Sequence, residues 1–226
     1  MGAGACSMDG NVRERLQAAY DANAEARDRR DDPKWKRNVR EVSLNALRRG
    51  GLNRLLEIGA GTGHDGVFFQ QHGLAVVCVD LSPEMVRLCR EKGLEAHVMD
   101  VMELRFPADS FDAAYSFNSL LHLPKAELPV ALREVRRVLR PGGLLFLGLY
   151  GGHDHEGVWG EDTYEPKRFF SFHTDEDLFR TVEKAFDVVS FERIDVAAED
   201  PHFHFQSLIL RSGGRPAGPR APRGGS

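Results

Sequence analysis

Apolar residues recur with the period of a helix at the start of the chain. Further on, short apolar runs alternate with helical periods. Up to residue 51, apolar side chains recur every three or four positions, which predicts two amphipathic helices over 11–31 and 33–51. Pro33 suits the first turn of the second helix, and Gly50-Gly51 suits its end. The chain therefore opens with a helical segment.

From residue 53 onward, short apolar runs alternate with helical periods. Strands are expected at 53–58, 74–79, 94–99, 112–117 and 144–150, and helices at 62–72, from 83 and at 124–140. The run 74–79 is almost wholly apolar, as in a strand buried on both faces. Alternation of this kind predicts a parallel sheet with right-handed crossovers and helices on both sides.

The alternation stops after residue 150. Residues 151–167 are polar and aromatic and are expected to form a long loop, a feature that is usually functional, within an acceptor-side insertion at 151–173. Thr174, with Asp177 three residues later, marks the start of a further helix. Two last strands are expected at 186–194 and 204–210. The resulting division is a disordered start (1–10), a helical segment (11–51), a core (52–211) with its insertion (151–173), and a disordered tail (212–226).

Charge and composition exclude some classes of protein. The net charge of −4 and the pI near 6.1 give no overall attraction to nucleic acid or to an anionic membrane. No apolar run is long enough to cross a bilayer. The first residues lack the pattern of a signal peptide, and the 3 cysteines are unclustered, so a reducing cytoplasm is expected.

The most distinctive stretch runs from Leu55 to Gly66, where Gly59, Gly61 and Gly63 stand between a predicted strand and a predicted helix. Glycine lets backbone approach a ligand closely, and a helix start offers unpaired N–H groups. A dinucleotide fingerprint would need its third glycine at His64. The stretch therefore predicts a nucleotide-type cofactor other than a dinucleotide.

The run Glu57-x-Gly59-x-Gly61-x-Gly63 resembles the first motif of class I S-adenosylmethionine-dependent methyltransferases. The resemblance continues in order through Asp80, Asp100-Val101, residues 106–113 and residues 132–143, and it covers roughly 53–150. It implies an α/β fold: a doubly wound, Rossmann-like, seven-stranded sheet that is mostly parallel, has a final antiparallel strand and lies under an N-terminal helical lid.

The resemblance also implies the cofactor S-adenosylmethionine, with S-adenosylhomocysteine as product, in a crevice at the carboxyl ends of the strands. Asp80 would accept the ribose hydroxyls, and Asp100 would hold the adenine edge. Arg37 and Arg40 would either meet the cofactor carboxylate or form a solvated helix face. The expected cofactor-binding residues are Glu57, Gly59, Ala60, Gly61, Gly63, Asp80, Leu81, Asp100, Val101, Phe117, Asn118, Tyr20 and Trp35.

Methyl transfer from a sulfonium is an in-line displacement with a neutral leaving group, so the protein mainly aligns the acceptor and excludes water. An amine, hydroxyl or carboxyl acceptor still needs a base. His122, in a Ser-Leu-Leu-His-Leu-Pro segment like that of small bacterial relatives, is either this base or a structural histidine; His173 is the second candidate. The expected acceptor-binding residues are His153, His155, Trp159, Phe170, Phe172 and His204. The His-x-His pairs at 153–155 and 202–204 form no closed ligand set, so no metal is expected.

The sequence thus predicts an enzyme that methylates an O or N atom of a small molecule, acts as a monomer or homodimer, and binds neither nucleic acid nor membrane. Two alternatives stay open. One is a methyltransferase that modifies tRNA or protein, and the other is a regulator that binds S-adenosylmethionine without catalysis.

Overall fold

The computed structural model describes residues 9–196 and 203–213. The ends that were predicted to be disordered, and His202, lie for the most part outside these residues. The helical segment consists of α1 (Asp9–Asp28) and α2 (Lys34–Gly50). The two helices confirm the amphipathic pattern, because Leu44 and Leu47 of α2 are buried against the sheet.

The core is a seven-stranded sheet. Its strands are β1 (Arg54–Ile58), β2 (Ala75–Asp80), β3 (Glu95–Val98), β4 (Phe111–Phe117), β5 (Leu139–Gly151), β8 (Asp187–Asp195) and β9 (His204–Arg211). They lie in the order β3-β2-β1-β4-β5-β9-β8. The first five are mutually parallel, and β9 is antiparallel to both of its neighbours. The predicted α/β, doubly wound, mostly parallel sheet is confirmed.

Helices cover both faces of this sheet. They are α3 (His64–Gln71), α4 (Pro83–Glu91), α5 (Leu128–Val138) and α6 (Asp175–Val182), with a 3₁₀ turn at Leu120–His122. Leu55 and Leu56 are successive residues of β1 that point to opposite faces, and both are fully buried. Two apolar cores, one on each side, explain why the strands read as continuous apolar runs.

Two predictions for the second half of the chain are wrong in detail. The predicted helix 124–140 is only Leu128–Val138, and β5 begins at Leu139, ahead of the Pro141-Gly142-Gly143 turn. The pairing of β5 with β4 shifts register in this region. The turn is held by two backbone hydrogen bonds of 2.8 Å: Gly142 donates to the Ser212 carbonyl, and Ser212 donates to the Gly143 carbonyl.

The insertion 151–173, with its predicted long loop 151–167, also contains regular structure. β6 (His155–Val158) and β7 (Phe169–Phe172) form a separate two-stranded antiparallel sheet. Between them, Tyr164 is only 2% exposed, and its ring centroid lies 5.9 Å from that of Tyr20, so the segment packs against α1. This hairpin, not an irregular loop, is what lies beside the carboxyl ends of the main sheet.

Candidate active site

The glycine turn after β1 lies at the carboxyl edge of the sheet. Gly59 and Ala60 donate their N–H groups to the Val79 carbonyl at 2.8 and 3.1 Å, which holds the turn against β2. Gly59 has a φ of 67°, and a Cβ at this position would overlap the Ser119 side chain. Only glycine satisfies both conditions, so the turn is built from backbone that a ligand can approach closely.

Asp80 ends β2 beside this turn. Its two carboxylate oxygens accept N–H groups from Gly61 at 2.8 Å and from Ser82 at 2.9 Å. Burial raises the pKa of Asp80, while these donors and the Arg27 charge act in the opposite direction. The carboxylate thus ties the glycine turn to the start of α4 and still faces the crevice.

Asp100 follows β3 on the same edge and meets the lid helix. One oxygen accepts the Met102 N–H at 2.9 Å, and the other lies 2.5 Å from Arg13 Nε. Arg13 also pairs with Glu127 at 2.8 Å. Sequence reasoning missed Arg13, which links α1 to both sides of the crevice.

Two further carboxylates fasten α1 over the crevice. Asp21 accepts the Ser82 hydroxyl at 2.5 Å, and Asp28 pairs with Lys92 at 2.7 Å. Both partners belong to the α4 region, whose first turn borders Asp80. The N-terminal helix therefore covers the carboxyl ends of β2 and β3.

Two cavities meet under this helix. Each has a volume of about 870 Å³ when the open solvent at its mouth is included. The main cavity contains Tyr20, Asp80, Leu81, Asp100, Val101, Ser119 and His122 in its wall. The polar cavity contains Asp31, Asp32, Lys36, Glu57, Ala60, Thr62 and Asp65. Both are lined by Arg27, Gly59, Gly61, Phe117 and Asn118, so the glycine turn separates two connected spaces.

His122 lies at the floor of the main cavity. Its Nδ1 is 2.8 Å from the Phe169 carbonyl, which can only accept, so Nδ1 carries the proton. Its Nε2 therefore accepts the Tyr20 hydroxyl at 2.7 Å. Burial, assisted by the Arg168 and Arg27 charges, lowers the pKa of His122 to about 3, so the imidazole is neutral near pH 7.

Arg168 completes this polar group from the hairpin side. It donates to Tyr20 Oη at 3.1 Å and grips Asp162 through bonds of 2.7 and 3.0 Å. Its guanidinium also lies 3.8 Å from the centroid of the Tyr164 ring. Arg168 was missed in the sequence analysis. Its only signal was Asp162, six residues upstream, and the two phenylalanines that follow the arginine.

Beyond Arg168 lies a third cavity of about 750 Å³, the aromatic pocket. Its wall consists of Leu121, Tyr150, Trp159, Glu161, Asp162, Thr163, Arg168, Phe170, Phe172 and Phe203. Trp159, Phe170 and Phe172 are thus brought together as expected. His155 stands behind the wall, 5.0 Å from the Trp159 ring, and His153 lies 5.2 Å from Phe172.

Four other predicted positions lie away from these cavities. His173 is buried but lines none of the three, and His204 instead pairs with Asp175 at 2.8 Å. Trp35 packs against Phe205, with ring centroids 4.7 Å apart, on the far side of Phe117. Gly63 begins α3 and faces the packed interior, because a Cβ there would meet Cys89 and Leu94.

Arg37 and Arg40, which were considered as partners of the cofactor carboxylate, contact other residues. Arg40 pairs with Asp65 at 2.6 Å and with Asp32, while Arg37 donates to the Asp32 carbonyl. Arg27, by contrast, lines both the main cavity and the polar cavity. In the described part of the chain, no carboxylate lies within 4 Å of its guanidinium. Within residues 9–196 and 203–213, no group of three His, Cys, Asp or Glu residues could hold a metal, and no helix is long and apolar enough to cross a membrane.

Comparison with known proteins agrees with this geometry. Residues 55–143 match the methyltransferase-domain family. The chain is 31% identical over 158 residues to malonyl-[acyl-carrier protein] O-methyltransferase of Halorhodospira halophila, covering 65% of this chain and 52% of that protein. It is 34% identical over 118 residues to 27-O-demethylrifamycin SV methyltransferase of Amycolatopsis mediterranei, covering 48% and 42%. The chain spans about half the length of the curated relatives it matches.

Among solved structures, it is similar to 1,6-didemethyltoxoflavin-N1-methyltransferase of Burkholderia thailandensis, with bound 1,6-didemethyltoxoflavin and S-adenosylhomocysteine. The TM-score is 0.73 at 20% identity, covering 95% of this chain and 93% of that chain. Sheet order, glycine turn and covering helix together define a class I methyltransferase fold. Residues 55–143 therefore match a methyltransferase domain, and the chain as a whole shares the fold of its methyltransferase neighbours.

Proposed function

We propose that this protein transfers the methyl group of S-adenosylmethionine to an O or N atom of a small molecule. The observation that carries the proposal is the junction of the main and polar cavities at Gly59 and Gly61. An elongated ligand with a nucleoside at one end and a charged amino acid at the other fits two such spaces. The rifamycin and toxoflavin methyltransferases support a small acceptor, whereas the name of the Halorhodospira relative gives a malonyl group on a carrier protein. The relatives also differ in whether O or N is methylated, so the acceptor atom is open.

Each end of the cofactor has matching groups. In the main cavity, Asp80 would accept the ribose hydroxyls and Asp100 would hold the adenine edge. In the polar cavity, Arg27 would attract the carboxylate and Asp31 the ammonium group. A half-buried cation with no carboxylate within 4 Å is stabilised when a ligand supplies the anion, which favours Arg27 over Arg37 for this role.

The bound cofactor supplies an electrophilic methyl group, and the protein supplies alignment and a route for the acceptor proton. Tyr20 Oη faces the main cavity and donates its hydrogen to His122 Nε2, so it can accept a hydrogen from an acceptor that enters beside Arg168. The proton would come to rest on His122. Burial lowers the pKa of His122 and opposes this uptake, whereas loss of the positive charge of the methyl donor acts in the opposite direction.

Calorimetry tests the binding step. S-adenosylhomocysteine is titrated into the full chain, whose fold is checked by circular dichroism. We expect binding at one site, weakened by Asp80→Asn and by Arg27→Gln. A folded protein that gives no heat with either S-adenosylmethionine or S-adenosylhomocysteine would contradict the proposal.

Transfer of a radiolabelled methyl group into a cell extract tests the reaction. The extract is fractionated into small molecules, RNA and protein after incubation. We expect label in the small-molecule fraction. Label in RNA or protein would favour the macromolecular alternative, and binding without transfer would favour the non-catalytic regulator.

A further inference from the structure

We propose that the acceptor is a flat aromatic or heteroaromatic ring that carries an acidic O–H or N–H, held in the aromatic pocket with this polar atom turned toward Arg168 and Tyr20. The inference rests on the proposed methyl transfer and names the class of molecule that receives the group. Three features of the pocket carry it: its walls, its position and its charge.

The walls are aromatic to an unusual degree. Five of the ten lining residues are Tyr150, Trp159, Phe170, Phe172 and Phe203, which come from β5, the hairpin and the start of β9. The rings of Trp159 and Phe172 are nearly perpendicular at 5.4 Å, and those of Phe172 and Phe203 lie 4.6 Å apart at 65°. Such an array presents both ring faces and ring edges, the surfaces that a flat π system contacts best.

The pocket adjoins the main cavity across a wall that residues of both spaces form. Phe170 lines the pocket, and its ring centroid is 4.6 Å from that of His122 on the floor of the main cavity. Arg168 lines the pocket as well, and it donates to the hydroxyl of Tyr20, which lines the main cavity. A ring held by the aromatic wall thus has its edge at the boundary between the two spaces.

The charged group at this boundary is the Arg168 guanidinium, which donates to Tyr20 Oη, whereas Glu161 is an exposed residue of the pocket wall. Asp162 uses both of its oxygens on Arg168, and its side chain is only 3% exposed, so it offers no carboxylate to a ligand. A guanidinium beside the hydroxyl favours a reacting atom that is anionic or loses a proton, and it disfavours a protonated amine.

Three matched probes separate the effects on binding of the aromatic ring, of the charge and of hydrophobicity alone. Calorimetry is run on the full chain saturated with S-adenosylhomocysteine, using 2-naphthol, its saturated analogue decahydro-2-naphthol, and 2-(aminomethyl)naphthalene. We expect 2-naphthol to bind, and the other two to bind about tenfold more weakly or not at all. Equal binding of the saturated alcohol would overturn the aromatic argument, and equal or tighter binding of the amine would overturn the charge argument.

The same titrations distinguish this inference from the function on which it rests. If S-adenosylhomocysteine binds and none of the three probes does, the acceptor class is wrong while the methyl-donor site stands. If S-adenosylhomocysteine fails to bind to the folded chain, both fail.

Two variants locate the probe. Trp159→Leu should weaken 2-naphthol by about tenfold without changing the affinity for S-adenosylhomocysteine, whereas Val158→Ala, next to it on an exposed position of β6, should change neither. Arg168→Gln should weaken 2-naphthol and reduce its advantage over the amine. A loss that is equal for both probes would show that Arg168 only supports the fold, and it would overturn the charge argument.

Discussion

The methyl-donor crevice and the aromatic pocket lie side by side but are built in different ways. The crevice is made from strand ends and backbone N–H groups that fall within residues 55–143, as in the contacts of Asp80 with Gly61 and Ser82. The pocket is made from side chains that the fold gathers from residues 121–172 and from Phe203. In the proposed function, donor recognition would thus depend on local backbone geometry, and acceptor recognition on long-range packing of rings.

The strongest test of this difference is a single methyl group in the glycine turn. Gly59→Ala should abolish measurable binding of S-adenosylhomocysteine, because the new Cβ overlaps Ser119 and the φ of 67° disfavours alanine. Gly73→Ala is the matched control, since its φ of 91° carries similar strain but nothing lies within 4 Å of the new Cβ. Calorimetry should show normal binding for this control; loss of binding in both variants would contradict the argument.

Tyr20 stands between the two regions. Tyr20→Phe removes the hydroxyl that joins Arg168 to His122, and we expect kcat to fall by about 100-fold. The affinity for S-adenosylhomocysteine should change by less than about twofold, because the ring remains in place. Label transfer measures the first effect and calorimetry the second; a loss confined to affinity would assign Tyr20 to donor binding.

Asp80→Asn should weaken S-adenosylhomocysteine by about 30-fold, because the amide replaces a charged acceptor in the crevice. Asp112→Asn is the control. Asp112 also accepts two backbone N–H groups, from Asn53 and Arg54, but at the amino-terminal edge of the sheet. Asp112→Asn should lower the thermal stability and leave the affinity for S-adenosylhomocysteine unchanged. Equal losses of affinity in the two variants would show that Asp80 acts through the fold and not through contact with the ligand.

The neutral state of His122 gives a pH signature. Its pKa is lowered from 6.5 to about 3 on folding, so the unfolded chain takes up a proton between these values that the folded chain does not. This group therefore removes stability as the pH falls below about 6.5. In His122→Asn, denaturant unfolding between pH 4 and 7 should show a shallower loss of stability with acid, by up to about 1.4 kcal/mol per pH unit. Parallel curves for the two proteins would contradict the buried neutral imidazole.

The smallest effects compare the helix caps of the two regions. Ser82 caps α4 by accepting the Met85 N–H at 3.1 Å, and it also donates to Asp21 of the lid. Thr174 caps α6 by accepting the Asp177 N–H at 3.2 Å, and its hydroxyl donates within the same helix, to Asp177 Oδ2 at 3.0 Å. Thr174→Ala should cost about 1 kcal/mol of unfolding free energy. Ser82→Ala should cost more and should also weaken S-adenosylhomocysteine. Denaturant titrations and calorimetry check both, and identical behaviour of the two variants would show that the lid contact adds nothing.

The sequence predicted the fold and most of the crevice because both rest on periodicity and on glycine spacing. The first four strands lie within two residues of their predicted bounds, and Asp80 and Asp100 stand where the resemblance put them. Arg168 and Arg13 escaped prediction since their partners, Tyr20 and Asp100, are distant in sequence and nothing local marks the pairs. The β6–β7 hairpin was missed because its strands are only four residues long, too short for a clear alternation.

In the proposed function, helix α1 would also control how the methyl donor binds and leaves. It is fastened by Arg13 to Asp100, by Asp21 to Ser82 and by Asp28 to Lys92. Asp100 and Ser82 line the main cavity, and Lys92 donates to the carbonyl of Thr62 in the polar cavity. Exchange of spent donor for fresh donor would then require the helix to detach, and departure of the product would be a slow step. Two of the three contacts are partly exposed ion pairs, so added salt should shorten the residence time of S-adenosylhomocysteine. Turnover in such an arrangement rises with ionic strength until weakened binding of the donor becomes limiting.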